Sequence, residues 1–275
     1  MRPDQLFDLT GRVVVVTGGA GLLGQRHCEA IAGAGGFPVL ADIRPESLDV
    51  EGAAFGDRFG GSASAMRVDV TDLRSVEGLL AGVLDKYGRI DVLINNAANN
   101  PKVEGGSEVE FSRVESFPIA QWELDLAVGL TGAFLCSRVI GAELARRGRG
   151  VIINVASDLA LIAPDQRLYR RAGLPEELQP VKPVTYSVVK SGLIGLTRYL
   201  ATYWATSGVR VNAISPGGVL TDQDEDFVQR LSNLIPLGRM ARADEYAGAI
   251  VFLCSDASSY MTGANLIVDG GRTSW

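Results

Sequence analysis

The chain has 275 residues, 47% of them apolar and 21% charged, with a formal net charge of −6. A chain of this length buries about 70–75% of its unfolded surface without help from a metal or a disulfide, and its acidic balance argues against nucleic-acid binding. One histidine, His27, and three dispersed cysteines, Cys28, Cys136 and Cys254, exclude His-based metal sites and Ser-His-Asp hydrolysis unless His27 is the base, and fit a reducing compartment.

Short β-branched runs punctuate the chain: VVVV (13–16), FPVLADI (37–43), SAMRVDV (64–70), IDVLINNAA (90–98), GVIINVAS (150–157), VRVNAIS (209–215) and NLIVDG (265–270). They are almost continuously apolar, as parallel strands covered on both faces are. Helical spacing lies between them, for example Val76, Leu79, Leu80 and Val83. The alternation predicts an α/β fold, a Rossmann-like doubly wound parallel sheet of about seven strands with helices on both faces. No repeat or linker divides residues 1–275, so one domain is expected. Two segments break the rhythm, 99–118 and 158–184; both follow strand ends, where open α/β sheets bind ligands, and are read as substrate loops. No charged-then-apolar leader opens the chain and no apolar run reaches about 18 residues, so a cytoplasmic protein without a membrane partner is expected. His27, just past the first glycine turn, reads as a partly exposed helix residue, and the cysteines as small buried hydrophobes.

The segment VVVVTGGAGLLG (13–24) carries the first chemical signal. Gly19, Gly21 and Gly24 fit G-x-G-x-x-G, while Thr17, Gly18, Gly21 and Gly24 fit T-G-x-x-G-x-x-G; T-G-x-x-x-G-x-G fails at Leu22. Following a strand and opening a helix, such a turn brings backbone N–H groups and the positive end of the helix dipole to a pyrophosphate. Asp42 ends the second strand 18 residues after Gly24. There it would accept hydrogen bonds from the adenosine ribose and repel a 2′-phosphate, favouring NAD over NADP. Arg44 leaves NADP open, and a strand-end turn acid is the plain alternative for Asp42.

Tyr186 and Lys190 stand i, i+4 on a helical stretch and share a face. A phenol titrates near pH ~10, and a nearby ammonium lowers that value toward the range general acid–base chemistry needs. With these residues in place the chain resembles the short-chain dehydrogenase/reductase family, in its compact single-domain branch, from about Gly11 to Gly271. Asp69 and Val70 resemble the family's adenine contact, and NNAA (95–98), with Asn96 and Ala97, its N-N-A-G strand end. Ser157 matches the catalytic serine, Tyr186 and Lys190 the Y-x-x-x-K pair, and Asn212 with SPGGVLT (215–221) the segment around the nicotinamide. The resemblance implies that Ser157 binds the substrate oxygen, Tyr186 moves its proton, and Lys190 grips the nicotinamide ribose while lowering the Tyr186 pKa. It adds Gly18, Gly21, Leu22, Leu23, Gly24, Asp42, Pro216, Gly217, Val219 and Thr221 as cofactor contacts, and no metal. T-G-x-x-G-x-x-G also marks the family's longer branch of sugar-nucleotide epimerases and dehydratases; the chain ends four residues after VDGG, which favours the compact branch.

Three positions depart from the family, one of them Ala98 in place of the last glycine of N-N-A-G. Gly129 stands where W-x-x-x-x-x-x-N-x-x-G carries an asparagine, and Leu22 replaces a glycine. Leu22 is expected to pack at the helix start, and the space freed at Gly129 to admit a water. The 158–184 insert carries Arg167, Arg170, Arg171 and Lys182; either its charges are merely solvated, or the three arginines bind an anionic substrate. Similarity to sugar-acid, polyol and surface-sugar dehydrogenases implies a small-molecule substrate, a sugar, sugar acid or sugar phosphate. The rivals are a 3-oxoacyl reductase using NADP and a nucleotide-binding sensor without turnover. The resemblance also implies a homo-tetramer or homo-dimer built partly on the 122–147 and 184–206 helices.

Overall fold

A computed structural model describes residues 3–44, 63–99 and 112–275. Its strands are β1 (Val13–Thr17), β2 (Phe37–Asp42), β3 (Ser64–Arg67), β4 (Val92–Asn95), β5 (Gly150–Val155), β6 (Val209–Pro216) and β7 (Asn265–Val268). All pair in parallel, in the order β3-β2-β1-β4-β5-β6-β7. The order reverses between β1 and β4, the crevice where doubly wound sheets bind ligands.

Strand alternation sends successive side chains to opposite faces. Val13 and Val15 of β1 join a cluster with Val76, Leu79, Val83, Ile140, Leu144 and Leu200, and Val14 and Val16 one with Cys28, Ile31, Ile250 and Leu253. Helices α2 (Leu73–Tyr87), α3 (Ile119–Arg146) and α4 (Val184–Tyr203) therefore cover one face, and α1 (Leu22–Gly33) and α6 (Ala247–Cys254) the other. Helix α2 has clear start and stop signals: the Asp72 side chain accepts from the Arg74 N–H, and Gly88 closes the helix in the left-handed region.

Helix α3 is interrupted by two π-helical turns, Ala127–Thr131 and Ser137–Gly141. By length and composition it is apolar enough to cross a membrane, yet Ala133, Cys136, Ile140 and Leu144 are buried within the fold. Two glycines permit the close packing: a Cβ at Gly132 would lie 2.7 Å from Val70 Cγ2, and one at Gly141 2.5 Å from the Trp204 ring.

The paired strands stop short of the apolar runs. Residues 68–70, 96–98 and 156–157 lie beyond the ladder and instead line the cleft at the carboxyl ends. The 158–184 insert folds into three 3₁₀ turns. Its Leu168 is buried against Leu231, Ile235 and Met240, and its Tyr169 ring lies 5.5 Å from that of Phe227 on α5 (Glu225–Ser232). Of the other long segment, 100–111 lies outside the described residues.

All three cysteines are buried, and burial pushes the Cys136 and Cys254 thiols up to about 12. His27 departs from its expected exposure. It is fully buried on α1, which packs against α6, and among the described residues neither ring nitrogen has a hydrogen-bond partner. Desolvation lowers its pKa from 6.5 to about 4, so it is neutral at pH 7. A depressed histidine pKa gives stability that is complete above pH 6.5 and lost as pH falls toward 4, because the unfolded chain takes the proton first. The whole effect is about 3 kcal/mol. Urea denaturation of the parent and of His27→Leu should therefore show stabilities that diverge with pH across this window, the parent losing more on acidification. Parallel profiles would contradict the burial of an uncharged imidazole.

Candidate active site

The glycine turn forms one wall of a cleft of about 740 Å³. Gly18 has φ +62°, and a Cβ there would lie 2.9 Å from Ala97 Cα; a Cβ on Gly24 would lie 2.2 Å from the Gly18 carbonyl oxygen. Asn96 clamps the turn, its Nδ2 donating to the carbonyls of Thr17 (3.0 Å) and Gly18 (3.1 Å), while Thr17 Oγ1 accepts from the N–H groups of Asn96 and Ala97. Glycines of both parses matter to the turn: Gly18, Gly21 and Gly24 shape it, and a Cβ on Gly19 would lie 2.8 Å from Leu40 Cα of β2. Gly21 caps α1 and offers no side-chain cap of its own to the amide end of this twelve-residue helix, where Gly18, Gly21, Leu22 and Leu23 line the cleft. This cradle fits a dinucleotide pyrophosphate. Leu22 does not pack as expected; it is 48% exposed at the cleft wall.

Asp42 is buried at the end of β2, its Oδ2 accepting from the Ala20 N–H (3.1 Å) and its Oδ1 from the Arg44 N–H (3.3 Å). Arg44 Nε lies 3.6 Å from Asp42 Oδ1, so the carboxylate and its rival cation sit side by side. Asp69 and Val70 also line this end, the Asp69 carboxylate accepting from the Thr71 N–H and hydroxyl.

At the other end the same cleft is lined by Ser157, Tyr186, Lys190, Pro216, Gly217, Val219 and Thr221. Ser157 leaves β5 in an extended conformation and donates from Oγ to Asp158 Oδ1 (2.8 Å). Asp158 is itself held by Arg272 of the last 3₁₀ turn, Nη1 to Oδ2 2.7 Å, a pair buried on both sides. Tyr186 and Lys190 lie one turn apart on α4, as their spacing predicts. Burial raises the Tyr186 pKa, hydrogen bonding with Ser157 lowers it in part, and the Asp158 charge raises it further. Burial outweighs the lowering, so the phenol is held above its ordinary value. The Lys190 ammonium lies 5.8 Å from the ring centroid and donates to the Val155 carbonyl (2.7 Å) instead. Burial, and then the Lys182 charge, lower the Lys190 pKa to about 8.

Asn212 is not a cleft residue. Its side chain donates to the Met261 carbonyl and accepts from the Ala264 N–H, tying β6 to the approach of β7. Gly129 also differs from expectation: the space is filled, not open to water. A Cβ there would lie 2.6 Å from Val189 Cγ1, so α4 closes on the π turn of α3. One turn earlier, buried Asp125 accepts from Asn99, Gln121 and the Thr185 hydroxyl beside Tyr186, which ties α3 to the start of α4.

The arginines of the insert do not reach the cleft lining. Arg167, 82% exposed, pairs with Asp165, and exposed Arg170 with Glu176. The exposed Arg171 is fixed through its backbone, which both donates to and accepts from the Gln179 side chain. The cations that do line this end are Lys182, Lys190 and Arg272. Sequence reasoning missed Asp158, Arg272 and Tyr169; Lys182 was visible as an insert charge directly before a proline and a helix.

A short chain dehydrogenase family model matches residues 12–168, and a second, described as enoyl-(acyl carrier protein) reductase, matches 176–273. The chain is 36% identical over 273 residues to a D-threitol dehydrogenase of Mycolicibacterium smegmatis, covering 97% of this chain and 95% of that one. It is 33% identical to an NAD-dependent glycerol dehydrogenase of Listeria innocua, covering 98% and 97%. The crystal structure of a gluconate 5-dehydrogenase from Burkholderia cenocepacia J2315, in complex with NADP and tartrate, superposes with a TM-score of 0.86 at 27% identity over 100% of both chains. The chain belongs to the short-chain dehydrogenase/reductase family and is an NAD(P)-dependent oxidoreductase acting on CH–OH groups.

The filled space at Gly129 has a measurable consequence. Gly129→Ala should destabilise the protein by about 1–3 kcal/mol, the range for overpacking a core, and Gly129→Asn by more. Val189→Ala in the Gly129→Ala background should recover much of the loss, giving a coupling term in a denaturation double-mutant cycle. Strict additivity would mean that Val189 is not the obstacle.

Proposed function

We propose that the protein is an NAD-dependent dehydrogenase that interconverts a secondary alcohol of a small polyol and the corresponding ketone. The observation that carries this reading is the convergence of Ser157, Tyr186 and Lys190 in one cleft with the glycine cradle. When bound there, a nicotinamide dinucleotide supplies the hydride acceptor or donor. Gly18, Gly21, Leu22, Leu23 and Gly24 would hold its pyrophosphate, Asp42 its adenosine ribose, Asp69 and Val70 its adenine, and Asn96, Ala97, Pro216, Gly217, Val219 and Thr221 its nicotinamide half. Ser157 orients the substrate oxygen, Tyr186 takes its proton during oxidation and returns it during reduction, and Lys190 would bind the nicotinamide ribose.

The polyol assignment is supported by the threitol and glycerol dehydrogenases among the relatives. Arg167, Arg170 and Arg171 lie outside the cleft lining, and no anionic substrate group is assigned to them. The preference for NAD rests on the buried Asp42 at the end of β2. Exposed Phe134, Tyr199 and Tyr203 on α3 and α4 supply apolar surface for the proposed self-association.

The test is nicotinamide reduction or oxidation with a panel of tetritols, pentitols, hexitols, glycerol and their ketoses. Turnover of at least one pair is expected, and Tyr186→Phe should lower it on the order of 10²–10⁴-fold with dinucleotide affinity nearly unchanged. Binding without turnover across the panel would favour the sensor reading.

For the cofactor, calorimetry should find NAD(H) bound about tenfold or more tighter than NADP(H), the ratio given by ~1.4 kcal/mol of carboxylate–phosphate repulsion. Asp42→Ala should narrow that ratio. Tighter binding of NADP(H) by the unaltered protein would reverse the assignment and point to Arg44.

A further inference from the structure

Lys182 stands four residues before Tyr186, in the last stretch of the insert. Its backbone is fixed from several directions: Pro183 holds the residue before it extended, the Lys182 N–H donates to Gln166 Oε1 (2.8 Å), and the Val181 N–H donates to Ser112 Oγ (3.0 Å). This anchoring sets the Lys182 ammonium 3.9 Å from the centroid of the Tyr186 ring, closer than the Lys190 ammonium at 5.8 Å.

The groups that bear on Tyr186 come from several elements. Ser157 and Asp158 follow β5, Lys190 lies one turn along α4, Tyr169 and Lys182 belong to the insert, and Tyr246 lies between α5 and α6. Arg272 acts on this group through its pairing with Asp158. Of the charges, Asp158 opposes formation of a phenolate, and Lys190 directs its hydrogen bond to Val155. A cation over an aromatic face is favourable even toward a neutral ring. It is much more favourable toward a phenolate, whose negative charge spreads into the ring carbons. Burial strengthens this attraction because little water screens it.

We propose that Lys182 is a positioning residue that sets the proton affinity of Tyr186, its ammonium lying over the ring and stabilising the phenolate against the opposing charge of Asp158. The inference rests on the proposed role of Tyr186 as the proton carrier. Burial opposes the charged form of Lys182 and Asp158 favours it; a phenolate 3.9 Å away would favour the ammonium in turn, and the ammonium the phenolate. The family's tyrosine–lysine pair is thereby supplemented by a second lysine that the insert delivers to the ring face.

The test titrates Tyr186 directly in the cofactor-free protein. Tyrosinate difference absorbance is followed against pH in the parent and in Lys182→Gln, each with its Tyr186→Phe counterpart subtracted to isolate the one phenol. Lys182→Gln should move the midpoint upward by on the order of 1 unit, the lower end of the effect of a charge at this distance. Lys182→Arg, which keeps the charge, should move it less, and Lys182→Met is the second neutral variant should the glutamine form fold poorly. In alcohol oxidation the acid limb of kcat/KM should shift upward by the same amount. An unchanged or lowered midpoint in the neutral variants would overturn the assignment. The titration needs no substrate, so failure of the polyol panel and failure of the Lys182 assignment give different results.

Discussion

The contact between the turn after β1 and the end of β4 is the constraint on which the cleft depends. Gly18 and Ala97 approach so closely that a Cβ on the glycine would collide with backbone, and the Asn96 amide and the Thr17 hydroxyl lock the two segments together. Because β1 and β4 flank the point where the strand order reverses, this contact sets where α1 begins. Its uncapped amides then face the crevice and not the protein interior. Gly24 belongs to the same constraint, since any side chain there would strike the Gly18 carbonyl.

The chemical end of the cleft is organised by buried charge that is fully hydrogen-bonded. Asp158 lies between the Ser157 hydroxyl, the Leu159 N–H and the Arg272 guanidinium, and Asp125 accepts from three side chains. Pairs of this kind add little net stability when formed, but removing one partner leaves an uncompensated buried charge costing about 3–5 kcal/mol. Their effect is geometric. Asp158 orients the serine at the end of β5, and Asp125 ties the start of α4, and with it Tyr186, to α3.

The 158–184 insert packs against α5 through apolar residues and places its charges by backbone anchoring. Leu168 and Tyr169 join the cluster on α5, while the Gln179 side chain ties its own turn together through the Arg171 backbone and the Leu174 carbonyl. The arginines face solvent, where water and salt screen their ion pairs with neighbouring carboxylates and leave them little weight in stability. A cluster of like charges in a loop thus separates in space into residues that solvate the surface and one, Lys182, that lines the site.

Short-range physics made much of this legible in the sequence. Short runs rich in apolar residues marked the strands, the glycine spacing marked the turn, and the i, i+4 relation put Tyr186 and Lys190 on one face of α4. Each depends on conformational preferences within a few residues, which a sequence displays directly. The partnerships between distant segments did not show. The burial of His27 depends on how α1 meets α6, the Ser157–Asp158–Arg272 chain joins residues more than a hundred positions apart, and the space at Gly129 is taken by Val189 from another helix. No local periodicity encodes these contacts, because they arise only when packed helices and a folded loop bring their side chains together.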